Sequence, residues 1–218
     1  MPARGRTLLL GHRGARATKN IPENTFASFD LALEHGCDGF EFDVRRTADG
    51  HAVICHDPEY QGLRIADSPR SALDLPGLRV LVARYASRAF LDIELKVAGL
   101  EDTVMDVLSS VRPEKGHVVS SFLPEIIQAL SGRPGRPPLG IIFDRKESLY
   151  LWKQLPVEYV IAHHSLVGHE YANHVRTAKR KLLVWTVNAE EDMKNLLEWK
   201  VDGIISDETD KLVRTCKG

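Results

Sequence analysis

Gly39-Phe40-Glu41-Phe42-Asp43-Val44-Arg45-Arg46-Thr47 is the stretch on which the reading of this chain turns. Side chains alternate along a strand. Glu41 and Asp43 therefore share one face, and Phe40, Phe42 and Val44 share the other. The aromatic face suits packing against helices, which points the acidic face into the interior of the sheet. Two carboxylates spaced about 7 Å apart along one strand are costly to bury unless something neutralises them. A divalent cation, which prefers hard oxygen ligands, can do so. Salt bridges to basic residues such as Arg45 or Arg13 are the alternative.

A second stretch repeats the pattern. In Leu91-Asp92-Ile93-Glu94-Leu95-Lys96, Asp92, Glu94 and Lys96 share one face, with Ile93 and Leu95 on the other. If the two strands are neighbours, Glu94 can reach the same cation as Glu41 and Asp43. Lys96, nearest the strand end, is placed for a substrate anion. Asp92, one step deeper, reads as a structural hydrogen-bonding group.

Outward from these two strands the chain alternates. Strands are expected over Thr7–Gly11, Gly39–Thr47, Ala89–Lys96, Gly116–Ser121, Leu139–Phe143, Glu158–His163, Lys181–Thr186 and Gly203–Ser206. Helices are expected over Asn24–Gly36, Pro76–Ser87, Glu101–Val111, Pro124–Ser131, Asp144–Gln154, His169–Lys179, Ala189–Trp199 and Asp210–Thr215. Such alternation implies parallel strands joined by right-handed crossovers. Eight units favour a closed (β/α)8 TIM barrel over an open doubly wound sheet. At 218 residues the chain is near the lower limit for that barrel, and residues 1–218 read as one domain. The second strand is followed by a short extension, His51–His56, and by an irregular insertion, Asp57–Ser71.

The composition narrows the function classes. Lys+Arg is 29 and Asp+Glu is 30, giving a net charge of -1, so no general basic field recruits nucleic acid. Three cysteines, Cys37, Cys55 and Cys216, fit neither a disulfide framework nor a zinc site. The N-terminal MPARGRTLLLGHRG has too short an apolar run for a signal-peptide core or a membrane span. A cytoplasmic protein without stable membrane insertion is expected.

In a barrel, the C-terminal strand ends and the loops after them form the active face. Gly11-His12-Arg13-Gly14 follows the first strand. A histidine beside an arginine suits a proton-transfer group next to an anion clamp, and the glycines permit close backbone approach. His56-Asp57-Pro58 supplies a second such histidine. Together His12 and His56 could deprotonate a nucleophile and protonate a leaving oxygen. His35, His51, His117, His169 and His174 read as surface or packing residues, whereas His163 and His164 end a strand and could reach the site. Trp185 is either core packing or a pocket wall, and Asp207 reads as a cap of the last helix.

These pieces, in this order, resemble the glycerophosphodiester phosphodiesterase family. The resemblance rests on His12-Arg13-Gly14, Pro22-Glu23-Asn24-Thr25, Glu41-x-Asp43-Val44 and Thr47-x-Asp49-Gly50. It continues through His56-Asp57, Ile93-Glu94-Leu95-Lys96, Trp185-Thr186-Val187-Asn188 and Asp202-Gly203-Ile204-Ile205-Ser206-Asp207. It implies a barrel, a divalent metal (Mg²⁺ or Ca²⁺) and hydrolysis of a small glycerophosphodiester to glycerol 3-phosphate and an alcohol. Carried onto the matching positions, it implies that Glu41, Asp43 and Glu94 bind the metal and that His12 and His56 form the acid–base pair. Arg13 and Lys96 would hold the phosphate, and Glu23 would orient Arg13. The chain departs from the family in residues 58–91, which are compact where members commonly carry a longer insertion; a more open pocket is expected. The alternatives are a barrel phospholipase or lyase that releases a cyclic phosphate, or a lysophospholipase D-type activity. A barrel metal hydrolase acting on amides and a non-catalytic binding protein stand further off, because the proposed ligands are carboxylates and every core position is filled.

Overall fold

The computed structural model describes residues 6–217. Met1–Gly5 and Gly218 lie outside the described residues, and with them the start of the N-terminal stretch read for a leader.

The chain opens with β1 (Leu8–His12) and α1 (Phe26–Glu34), then β2 (Gly39–Arg46) and a short antiparallel partner, β3 (Ala52–Ile54). The insertion forms a small hairpin, β4 (Glu59–Tyr60) and β5 (Leu63–Arg64), and two 3-10 turns. Then follow α2 (Leu78–Tyr85), β6 (Phe90–Leu95), α3 (Glu101–Ser110), β7 (His117–Ser121), α4 (Pro124–Ser131) and β8 (Leu139–Phe143). The last part carries β9 (Tyr159–His163), α5 (His169–Thr177), β10 (Lys181–Trp185), α6 (Glu190–Glu198), β11 (Gly203–Ser206) and α7 (Thr209–Lys217).

The large sheet runs β1-β11-β10-β9-β8-β7-β6-β2-β3, and a further β1–β2 pairing closes it. The eight strands of the ring are parallel, which makes a (β/α)8 barrel. Closure demands a tight seam where β2 begins. A Cβ on Gly39 would lie 1.9 Å from the Phe90 carbonyl oxygen, so only glycine fits there.

One expected helix is absent. Between β8 and β9 the chain makes two 3-10 turns, Lys146–Ser148 and Leu151–Gln154, in place of an α-helix. The reason lies in a competing acceptor arrangement. The Tyr171 hydroxyl from α5 donates to the Leu149 carbonyl (2.9 Å) and accepts from Trp152 Nε1 (3.1 Å). The buried Trp152 thus anchors the segment in the core, and the backbone tightens to i→i+3 bonds such as Lys153 N–H to Tyr150 O.

Two apolar layers make up most of the core, and a third small cluster, Val53, Ile65 and Leu73, ties the insertion to β3. The larger lies between sheet and helices, where Phe40 stacks on Phe29 of α1 (4.3 Å) and meets Tyr85 of α2 edge-on (4.9 Å). This uses the aromatic face of β2 and leaves its acidic face inside the ring. The smaller layer fills the barrel with Leu10, Phe90, Val118, Ile142, Ile161 and Ile205, among others. Above that plug, toward the C-terminal strand ends, the buried side chains become polar: His12, Glu41, Asp43, Asp92, Glu94 and Ser120. No described helix is long and apolar enough to cross a membrane.

Candidate active site

The strand register assembles the site. β1 and β2 set His12 beside Glu41; β2 and β6 set Glu41 beside Asp92 and Asp43 beside Glu94. The oxygens of Glu41, Asp43 and Glu94 lie within 4.8 Å of one another, and all three residues are buried. Asp92, one layer down, accepts from Ser120 Oγ at 2.6 Å.

Two cations face this cluster. Lys96 Nζ lies 2.7 Å from Glu94 Oε1 and 3.3 Å from Asp43 Oδ1. Arg13 Nε lies 3.2 Å from Asp43 Oδ2, which also accepts from Asn24 Nδ2 at 2.9 Å. Arg45 plays no part in this balance, because its Nε donates to the His56 carbonyl (2.7 Å). Four buried carboxyl groups therefore meet two cations, and Glu41 Oε1 and Asp92 Oδ2 have no hydrogen-bond partner among the described residues.

The electrostatics follow from that deficit. Burial, then repulsion from Asp43, Glu94 and Asp92, holds Glu41 well above the usual carboxylate range. Burial, then Asp43, pushes Glu94 up to about 7; burial also pushes Asp92 up to about 7. Burial opposes ionisation of Asp43 as well, but Lys96, Arg13 and the Asn24 amide outweigh it and hold Asp43 below its ordinary value. An excess of buried carboxylate oxygens, two of them, Glu41 Oε1 and Asp92 Oδ2, without a hydrogen-bond partner among the described residues, fits a divalent cation with hard ligands.

Both histidines carry an acidic partner on the same ring nitrogen. His12 Nδ1 lies 2.8 Å from Asp207 Oδ1, and His56 Nδ1 lies 2.8 Å from Asp57 Oδ1. A carboxylate accepting from Nδ1–H leaves Nε2 as the nitrogen free to exchange a proton. His12 Nε2 faces Glu41 Oε2 at 3.9 Å. Burial lowers His56 below its ordinary value against the opposing pull of Asp57, which favours the neutral ring near pH 7.

The loop after β1 is shaped to hold His12 and Arg13. Gly14 adopts φ +84°, and a Cβ there would meet Ser28 backbone atoms at 2.6–2.7 Å. Arg13 itself sits at φ 53°, its carbonyl capped by Asn24 N–H and Ser28 Oγ, both at 3.0 Å. Its backbone N–H donates to Glu41 Oε2 (3.0 Å), and its Nη1 donates to Glu23 Oε1 (2.8 Å).

A cavity of about 110 Å³ opens among these groups. His12, Arg13, Glu41, His56, Asp92, Glu94 and Lys96 line its polar side; Asp43, fully buried, is not among the lining residues. Trp185 and Phe122, packed edge to face at 5.5 Å, form an apolar wall. None of the lining residues comes from 58–75. His163 meets the outer edge of Trp185 (5.4 Å) without lining the cavity, and His164 lies near Asp192 (3.8 Å).

Two residues escaped the sequence reading. Asp207 is not the cap of the last helix: its carboxylate is taken by His12, Arg16 and Asn188. These partners hold Asp207 down to about 2 in spite of its burial. Asn24 holds Asp43 from both sides, its amide donating to the carboxylate and its carbonyl oxygen accepting from Asp43 N–H (3.3 Å). The position of Asn24 in Pro-Glu-Asn-Thr, and of Asp207 at the end of Asp-Gly-Ile-Ile-Ser-Asp, was the available signal; neither motif names the partner, and that of Asp207 lies at the other end of the chain.

The closed barrel carries, at its C-terminal mouth, an acidic cluster that could hold a metal ion and two histidine–carboxylate pairs beside it. Residues 12–105 and 87–211 match the glycerophosphoryl diester phosphodiesterase family, and the chain belongs to that family as a phosphodiesterase. Among relatives, it is 25% identical to a glycerophosphodiester phosphodiesterase of Caldanaerobacter subterraneus subsp. tengcongensis, over 95% of this chain and 97% of that protein. It is 27% identical to one from Bacillus altitudinis, again over 95% and 97%. The fold matches a Thermotoga maritima glycerophosphodiester phosphodiesterase with a TM-score of 0.83 at 23% identity, covering 96% of this chain and 98% of that one. It also matches an Oleispira antarctica phosphodiesterase in complex with the product sn-glycerol-3-phosphate, with a TM-score of 0.84 at 22% identity and 98% coverage of both chains.

Proposed function

We propose that this chain hydrolyses glycerophosphodiesters to glycerol 3-phosphate and an alcohol, with a divalent cation held by Glu41, Asp43 and Glu94. The observation that carries the reading is the pairing of each cavity histidine with a carboxylate on Nδ1, beside a carboxylate cluster that two cations do not neutralise. When bound, the ion, Mg²⁺ or Ca²⁺, supplies positive charge against the phosphoryl oxygens.

The chain's own residues do the rest. Arg13 and Lys96 add positive charge where the transition state gains negative charge. One of His12 and His56 takes a proton from the nucleophile through Nε2, and the other gives one to the leaving alkoxide. Trp185 and Phe122 exclude water from one side of the cavity. Glu23, held down by Arg13 and Arg16 against its partial burial, fixes the guanidinium of Arg13.

The nucleophile is either water or the neighbouring glycerol hydroxyl. Phosphorus NMR of the reaction separates the two: direct attack gives glycerol 3-phosphate alone, whereas hydroxyl attack gives a cyclic phosphate on the way. A cyclic phosphate that accumulates as the final product would replace the hydrolase reading with that of a lyase.

A further inference from the structure

Arg16 has no part in the scheme above, yet it touches both of its ends. Its Nε donates to Glu23 Oε2 at 2.6 Å, and its Nη1 is shared between Asp207 Oδ1 and Oδ2, each at 3.3 Å. Glu23 uses its other oxygen for Arg13, and Asp207 accepts from His12. The result is one connected series, His12–Asp207–Arg16–Glu23–Arg13–Asp43. Glu23 and Asp207 have no hydrogen bond to each other among the described residues; Arg16 alone joins them. The loop is pinned at the same point by the backbone, through Ala17 N–H to Asp207 O at 3.1 Å. The side chain of Arg16 is 41% exposed, so its ion pairs add little to stability. Their consequence is geometric. The rigid guanidinium fork offers separate donors to two carboxylates, which a single ammonium point charge does not.

We propose that Arg16 is a positioning residue that couples His12 to Arg13, holding the proton-transfer group and the phosphate clamp as one unit. This rests on the roles given to His12 and Arg13 above. It predicts that Arg16→Gln lowers kcat/KM for glycerophosphocholine by about 10-fold, because small displacements of positioned groups are expensive in rate. Both kcat and KM change, while the thermal midpoint stays within a few degrees.

The decisive test is a double-mutant cycle of Glu23→Gln and Asp207→Asn, made once with Arg16 present and once with Arg16→Gln. With Arg16 present, the combined loss should differ from the product of the single losses by about 5-fold or more, as for residues in one network. Without Arg16, the losses should multiply. If Arg16→Gln does not fold, Arg16→Met, which keeps the apolar stem, takes its place in the cycle. Multiplicative losses in both backgrounds, or an equal departure in both, would overturn the coupling. Reading the same cycle by binding of sn-glycerol 3-phosphate keeps this question separate from the reaction itself. Absence of turnover in the unmodified chain overturns the site reading, whereas multiplicative effects in a chain that turns over or binds overturn only the role of Arg16.

Discussion

Asp207 Oδ1 accepts a hydrogen bond from His12 Nδ1 at 2.8 Å, across 195 residues of sequence. The contact fixes which face and which tautomer of His12 meets the cavity. Asp207→Asn places an amide there that can present a donor to Nδ1 and so favour the wrong tautomer. Turnover should fall by about 10²-fold or more, the range of a mispositioned acid–base group. Steady-state kinetics alongside a thermal melt checks this: an unchanged kcat in a folded variant would detach Asp207 from the chemistry.

The same carboxylate makes a prediction for acid stability. Its value in the folded chain is about 2, below the ordinary 3.8. A depressed carboxylate contributes stability that is present above its unfolded value and lost as pH falls through its folded value. Unfolding measured between pH 5 and 2 should therefore show a loss of about 2 kcal/mol that Asp207→Asn lacks. Parallel curves for the two proteins would contradict it.

What the sequence made legible, and what it did not, divides along one physical line. The alternation in Phe40-Glu41-Phe42-Asp43 and in Asp92-Ile93-Glu94 is local, and a strand converts it directly into an inward acidic face. The eight strands follow from the repeat of the same local rhythm, whereas their closure into a ring is a tertiary fact, seen in the pairing of β1 with β2. The failures were tertiary. Asp144–Gln154 has helical composition, but the Tyr171 hydroxyl from a later helix claims the Leu149 carbonyl. Asp207 sits before a helix as a cap would, but closure of the barrel brings His12 to it first. Asn24 was visible only as part of a motif, since its partner Asp43 lies on the next strand.

The acidic cluster should make the metal-free protein sensitive to alkali. Glu94 and Asp92 are pushed up to about 7 and burial raises Glu41 as well, so all three resist ionisation in the fold. A carboxyl group with a raised folded value contributes stability that is lost as pH rises through that value. In EDTA the thermal midpoint should fall as pH rises from about 4, where these groups ionise in the unfolded chain, to about 7, and Mg²⁺ or Ca²⁺ should restore it at neutral pH. Glu41→Gln and Glu94→Gln should flatten the pH dependence and weaken the response to the ion. A midpoint indifferent to divalent cations at pH 8 would argue that Arg13 and Lys96 suffice.

Replacing either cavity histidine should separate folding from chemistry. His56 is half-buried and, among the described residues, its ring is hydrogen-bonded to its neighbour Asp57 alone, so His56→Ala should cost little stability. Its loss of turnover should reach about 10²- to 10⁴-fold. His12→Ala should lose as much activity, with a larger effect on stability because it leaves Asp207 and Glu41 without their histidine neighbour. Turnover close to that of the unmodified chain in either variant would remove that residue from the acid–base pair.

The proposed reaction is metal-assisted hydrolysis of a glycerophosphodiester at the mouth of this barrel. It is tested most directly by release of glycerol 3-phosphate from glycerophosphocholine and glycerophosphoethanolamine in Mg²⁺, in Ca²⁺ and in EDTA. Release is expected with at least one of the two ions and should be lost in EDTA. Equal release in EDTA, or none with either ion, would contradict it.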